Sequence, residues 1–279
     1  MIKTWLISGD THCGVSRYRE LDAYEPGTAA IIILGDAGFN YTSDGQDYAV
    51  KSAADSHKNY IYCVRGNHEM RPDEVPTMEK YFDDNVGNFV YYEPEFPYIR
   101  YFIDGYLYNI NDYRTLVIGG AYSVDKPYRI SRGSKWFQRE QLTPEEMDNI
   151  YNAYKGDAVD IILSHTCPLS WQPIDLFLDF IDPSSVDNSM EVWMDKIKED
   201  IKYNLWLFGH YHRDRLVRPH VEMLSTDIQK LDDVYNRWND ADGIIPLYWE
   251  FDPKFKSLDN IWIEKEKDRW TLNTHLLQP

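Results

Sequence analysis

The sequence predicts a layered α/β fold on three observations: short β-branched apolar runs, glycine-rich or polar breaks at their carboxyl ends, and helix-like segments between them. Five runs carry the pattern. Ile2–Ile7 leads into Gly9-Asp10-Thr11-His12, Ala30–Leu34 into Gly35-Asp36, and Ile61–Val64 into Arg65-Gly66-Asn67-His68-Glu69. Ile161–Leu163 leads into Ser164-His165, and Leu205–Phe208 into Gly209-His210-Tyr211-His212. Runs this uniformly apolar suit strands buried on both faces, in sheets covered by helices.

The intervening segments follow in order. Helices are expected at about Asp47–Asn59, about Thr77–Asp84, Thr143–Tyr154 and about Glu191–Lys202. Thr143-Pro144-Glu145-Glu146 is a strong helix start, with a threonine cap, proline in the first turn and glutamate at the third helical position. Tyr101–Tyr108 has the Asp104-Gly105 turn and the alternation of a hairpin, and Thr115–Ile118 reads as a strand ending at Gly119-Gly120. From about Ser225 the pattern weakens, with a closing strand expected at Asn260–Glu264. We expect one domain over residues 1–279, with about 226–279 as a C-terminal extension packed on it.

With 43% hydrophobic and 27% charged residues, the chain has the composition of a globular protein and excludes disorder or a collagen-like repeat. The longest apolar run, Ala29–Leu34, is far short of the roughly 20 residues needed to span a bilayer. The N-terminus turns polar too early for a secretory signal, so a cytoplasmic location is expected. A formal charge of −17 repels phosphate backbones and disfavours long nucleic acids as partners. Cys13, Cys63 and Cys167 form no paired motif and read as reduced thiols. Two of them, Cys13 and Cys167, lie near the strand-end turns as small hydrophobes.

The chemistry lies at the strand ends, where open α/β sheets bind their ligands. Those positions hold Asp10, His12, Asp36, Asn67, His68, His165, His210 and His212, leaving only His57, His220 and His275 elsewhere among the eight histidines. One such histidine would be read as a hydrogen-bonded structural residue, but five in five turns point to a metal centre. Carboxylate, amide and imidazole donors without thiolate suit manganese, iron or zinc. The donors exceed what one tetrahedral ion requires, so two divalent ions sharing a carboxylate are expected. About 3.5 to 4 Å apart, such a pair activates water and clamps phosphoryl oxygens. It also leaves a cationic pocket in an anionic molecule.

In this order the motifs resemble those of the calcineurin-like metallophosphoesterases, over roughly residues 2–225. Asp10-Thr11-His12, Gly35-Asp36, Gly66-Asn67-His68-Glu69, His165 and Gly209-His210-Tyr211-His212 stand in the family's motif positions. The resemblance implies a four-layer α/β/β/α sandwich of two mixed sheets flanked by helices. It implies that Asp10, His12, Asp36 and His212 bind one metal, that Asp36 bridges, and that Asn67, His165 and His210 complete the second site. His68 is implied as the acid that protonates the leaving oxygen, which agrees with the chemistry alkoxide departure needs. Many relatives carry an acidic residue three positions after the bridging aspartate, where it orients the histidine, and the phosphoprotein phosphatases follow it with an arginine. Here those positions hold Phe39 and Asn40. This weakens the serine/threonine phosphatase reading and leaves the orienting partner open among Asn40, Asp44 and Asp47.

The stretch Ser123–Lys135 carries four cations against one acid. Arg129 or Arg132 is a candidate to hold the substrate phosphate, as is Arg71, because the guanidinium fork fits phosphate oxygens; an ordinary solvated loop is the alternative. The expected function is metal-dependent hydrolysis of phosphate esters with metal-bound hydroxide as nucleophile, first of all a phosphomonoesterase acting on a phosphorylated small molecule or nucleotide. A phosphodiesterase acting on cyclic or short nucleotides comes next, then a nuclease. A noncatalytic binding module of the same fold is the reading from another class.

Overall fold

The computed structural model describes residues 1–42, 45–177 and 181–239, together with four short strands beyond them. In chain order the elements are β1 (Thr4–Ser8), β2 (Ala29–Ile33), α1 (Gly45–Asp55), β3 (Tyr60–Cys63), β4 (Glu79–Asp83), β5 (Asn88–Tyr92), β6 (Ile99–Tyr101), β7 (Leu107–Ile110) and β8 (Tyr113–Ile118). They continue with α2 (Lys126–Arg132), α3 (Pro144–Tyr154), β9 (Ala158–Ser164), α4 (Ser189–Asp200), β10 (Lys202–Phe208), β11 (Arg215–Arg218), β12 (Val221–Met223), β13 (Gln229–Lys230) and α5 (Leu231–Asn239). The last strands are β14 (Ile244–Ile245), β15 (Glu250–Phe251), β16 (Ile263–Glu266) and β17 (Arg269–Leu272).

Two seven-stranded sheets dominate, ordered β13-β1-β2-β3-β6-β5-β4 and β15-β11-β12-β10-β9-β8-β7. Both are mixed. β1, β2, β3 and β6 run parallel, as do β8, β9, β10 and β12, with antiparallel strands toward the edges. Alternate residues of the two sheets share one core: Trp5, Ile7, Ile32 and Val64 pack with Val117, Ile161, Leu163, Leu205 and Leu207. The other faces pack outward. Leu6, Ile31 and Ile33 join Ala54 of α1, whereas Ile162, Trp206 and Phe208 join Met147 and Ile150 of α3 and Met190, Met194 and Ile197 of α4. The central strands are thus buried on both sides, which is why they read as continuous apolar runs.

The helix start at Thr143 forms as expected: its hydroxyl accepts from the Glu146 amide and the Glu146 carboxylate accepts from the Thr143 amide. The helices expected near Asp47 and Glu191 also form, each starting two residues earlier. Two local expectations fail. The segment around Thr77–Asp84 is not a helix but contains strand β4. Met78, Tyr81 and Phe82 mimic helical spacing, but the backbone pairs with β5, where Phe82 faces Phe89 with ring centroids 5.4 Å apart. Tyr101–Tyr108 is not a hairpin either. It carries the chain from β6 in the first sheet to β7 in the second, with Phe102 and Tyr108 packed together in the intersheet core. Strand Ile263–Glu266 overlaps the expected closing strand, and residues 260–262 lie outside the described ones. No helix among the described residues is long and apolar enough to cross a membrane.

Candidate metal centre

The carboxyl ends of β1, β2 and β3 in one sheet and of β9 and β10 in the other meet at one edge of the sandwich. Each turn is tight. His12, Asp36, His210 and His212 all have positive φ, between 44° and 70°, a left-handed conformation that costs energy outside glycine and is concentrated where function demands it. The motif glycines have a steric reason: a side chain at Gly66 would collide with the Asp36 carboxylate, and one at Gly35 with the His165 ring.

The first group of donors comprises Asp10, His12 and His212, whose ligand atoms lie within 4.8 Å of one another. The Nε2 atoms of His12 and His212 are 2.8 Å apart, and Asp10 Oδ2 lies 3.7 and 3.3 Å from them. Asp10 Oδ1 accepts from the His210 backbone amide at 2.9 Å, whereas Oδ2 is buried and accepts no hydrogen bond. A buried carboxylate oxygen left in this way calls for a cation.

The second group is Asp10, Asp36 and His165, also within 4.8 Å. His165 Nδ1–H donates to the Leu34 carbonyl at 2.7 Å, which turns Nε2 toward Asn67 Oδ1 at 2.9 Å and Asp36 Oδ2 at 3.5 Å. Asn67 is held in that orientation because its amide nitrogen donates to Ser123 Oγ at 2.8 Å. Two acceptors, an imidazole nitrogen and an amide oxygen, would face each other unless a proton or a metal ion intervenes. Burial opposes a charged His165, but Asp36 and Asp10 outweigh it and lift its pKa to about 9. Burial likewise opposes a charged Asp36, yet His165 and its neighbours keep it ionised, with its pKa well below the usual carboxylate range. His210 is held neutral, its pKa pushed down to about 3 by burial and by His165, and its ring stands edge-on to His165 with centroids 5.0 Å apart. It lies beside the three-donor groups rather than within one.

His68 forms a third group with His12 and Asp36. Its backbone amide donates to Asp36 Oδ1 at 2.8 Å, which fixes one oxygen of that carboxylate. Its ring is touched by Arg129 Nη2. Burial lowers the pKa of His68, with Asp36 opposing and Arg129 adding to the fall. Glu69 ties the turns together, accepting from the amides of Gly38 and Gly66 at 3.2 and 3.3 Å. Burial and the nearby Asp36 push its pKa up to about 7.

The three arginines part company. Arg129 is buried against His68, with Asp125 on its Nε at 2.7 Å. Arg132 is exposed, its guanidinium over the Tyr128 ring at 5.6 Å. Arg71 is buried among Glu146, Asp73 and Asp104 at 2.8, 3.4 and 3.9 Å, so its charge is already neutralised. Ser123–Lys135 is not a solvated loop: it contains α2, which begins at Lys126. Sequence reasoning missed Ser123 and Asp125, one holding Asn67 and the other Arg129; the four-residue Asp125–Arg129 spacing was the available signal.

Oxygen and imidazole donors brought together from two facing sheets, with no thiolate among them, are the donor set of a metal-dependent hydrolase. The sequence model of the calcineurin-like phosphoesterase family matches residues 4–214, and the chain belongs to that family. Its members are in general metal-dependent phosphoesterases. No curated protein matches the chain.

Proposed function

We propose that this chain is a phosphomonoesterase that uses two divalent transition-metal ions, manganese first among them, with iron or zinc as alternatives. The carrying observation is the buried carboxylate pair: Asp10 Oδ2 has no hydrogen bond, and Asp36 holds one oxygen on the His68 amide and turns the other toward His165. Asp10, His12, Asp36 and His212 would hold one ion, and Asp36, Asn67, His165 and His210 the other. Such a pair, when bound, supplies Lewis acidity at the phosphoryl oxygens and a water acidic enough to attack at neutral pH. The chain does the rest. Asn67 and His165 keep fixed orientations through Ser123 and Leu34, so their donor atoms need no rearrangement.

His68 is the proton donor to the leaving oxygen, and Arg129, paired with Asp125 and lying against the His68 ring, is the arginine we assign to the phosphoryl group. A monoester carries one more negative charge than a diester, and a fixed arginine favours the more charged ester. The test is metal analysis of the purified chain followed by Mn²⁺-dependent hydrolysis of an aryl phosphomonoester, a bis-aryl phosphodiester and a cyclic nucleotide. Faster turnover of the monoester supports the reading, preference for either diester replaces it with the phosphodiesterase, and about two bound ions without turnover would indicate a binding module.

A further inference from the structure

His68 needs a partner that fixes its ring, and the positions from which one was expected are engaged elsewhere. Asn40 Oδ1 accepts from Lys51 Nζ at 3.2 Å while its Nδ2 is buried without a hydrogen bond, and Asp47 accepts from the Thr42 amide at 2.8 Å; Asp44 lies outside the described residues. The side facing α2 supplies what they do not. Asp125 immediately precedes that helix, and its side chain makes no capping hydrogen bond there. One of its oxygens, Oδ2, accepts from Arg129 Nε at 2.7 Å. The other, Oδ1, is buried, has no hydrogen-bond partner and lies 4.0 Å from His68 Nε2. Arg129 Nη2 closes the ring of contacts against both nitrogens of His68. The same arm continues through Ser123, which holds Asn67, and Glu140, which accepts from the Ser123 amide at 3.2 Å and from Trp136 Nε1 at 2.8 Å. One arm thus braces two neighbouring residues of the Gly66–Glu69 turn.

We propose that Asp125 is the positioning carboxylate of His68, acting through Oδ1 on the imidazole and through Oδ2 on the arginine that flanks it. A carboxylate beside a histidine selects its tautomer and fixes its orientation. Arg129 Nη2 reaches both ring nitrogens and Asp125 Oδ1 faces Nε2, so the one carboxylate restrains the ring directly and through the arginine. The inference rests on the reading of His68 as proton donor: as the P–O bond breaks, its electron pair stays on the leaving oxygen, the imidazolium form of His68 passes a ring proton to that oxygen and becomes the neutral imidazole, and solvent restores the proton. Such a donor matters for a poor leaving group and little for a good one.

Turnover of a nitrophenyl phosphate and of an alkyl phosphate by the metal-loaded wild type, Asp125→Asn and His68→Ala tests this, with metal content measured in each. The expected result for Asp125→Asn is a loss of about 10- to 100-fold in kcat on the alkyl ester, little change on the nitrophenyl ester and unchanged metal content. Asp125→Glu, which retains the carboxylate, should recover part of the loss. The ratio of the two rates does not depend on how much of the variant is folded, so partial unfolding cannot mimic this outcome. An equal loss on both esters in Asp125→Asn, beside a selective loss in His68→Ala, overturns the positioning role and leaves the proton donor standing. An equal loss in His68→Ala removes the proton donor and the proposal with it. Independently of turnover, ¹⁵N NMR of the histidine rings in the metal-depleted full chain should show neutral His68 in a single tautomer, and a mixture in Asp125→Asn; a tautomer unaffected by the substitution also overturns it.

Discussion

Glu191 offers a measurable link between the buried polar layer behind the candidate metal centre and the stability of the chain. It lies on the inner face of α4, 3% exposed, with Oε1 accepting from Thr166 Oγ1 at 3.0 Å and Oε2 buried without a partner. Thr166 follows His165 directly, and its hydroxyl lies 3.2 Å from that of Tyr211, between His210 and His212. Burial pushes the Glu191 carboxyl from 4.5 up to about 7. Because the folded value is the higher one, the folded chain favours the protonated acid: its contribution is fully present below pH 4.5, declines between 4.5 and about 7, and is gone above that. The interval corresponds to about 3 kcal/mol of stability lost on going from acid to neutral pH. Glu191→Gln, neutral at every pH, removes that loss. Urea unfolding of both proteins at pH 5 and pH 8 isolates it, since every other titrating group is common to the two. The variant should gain on wild type by up to about 3 kcal/mol between the two pH values. A difference between the proteins that stays constant with pH would refute the reasoning, and one that shrinks toward pH 8 would reverse its sign.

Further outcomes follow for the donors and the arginines. Asp36→Asn should reduce the content of bound metal, because the residue belongs to two of the three donor groups, whereas His68→Ala should retain it and lose on the order of 10² or more in turnover of an alkyl phosphate; elemental analysis beside kcat decides, and loss of metal in His68→Ala would make that residue a ligand. Arg129→Ala should raise KM for a phosphomonoester on the order of 10- to 100-fold, the worth of a charged hydrogen bond. Arg132→Ala should leave KM where it was, its guanidinium being spread over Tyr128 in solvent; equal effects of the two substitutions would remove the distinction between them.

That Asp10, His12, Asp36, His68, His165 and His212 come together was legible in the sequence because each sits where a buried strand ends, and both features are local: an apolar run and the turn after it. The layers were legible for the same reason. What the sequence concealed is non-local. Met78, Tyr81 and Phe82 carry a helical period, and only the partner strand at Asn88–Tyr92 makes them β. Asp104-Gly105 has the composition of a hairpin turn, yet Asp104 is taken by Arg65 and the Gly119 amide at 2.7 Å each, contacts that direct the chain into the second sheet. Asp125 was hidden differently: the other charged residues of its stretch, Lys126, Arg129, Arg132 and Lys135, are cations, so it read as a minor charge in a basic segment, whereas its role depends on His68, which lies far away along the chain.

The candidate donors come from both sheets, and His12 meets His212 across 200 positions of sequence, so the cluster exists only while the sheets keep their relative placement. Part of what holds that placement lies beyond the family-matched region. Strand β13 adds to β1, and α5 inserts Leu231, Val234 and Trp238 into the core that the two sheets share. The insertion is pinned to the second sheet by Glu222 of β12, fully buried, which accepts from Arg237 at 2.7 and 2.8 Å and also from Trp238 Nε1. Replacing Arg237 with methionine keeps the bulk but leaves Glu222 buried without its cation, at a cost of about 3–5 kcal/mol. That loss should appear in urea unfolding, and the double variant Arg237→Met with Glu222→Gln should recover much of it, since no charge then remains to desolvate. Because α5 bridges the sheets, the single variant should also bind metal more weakly, although no donor has changed. Undiminished metal affinity in a chain destabilised to that extent would show that the strand ends hold the centre by themselves, and that α5 serves only the core.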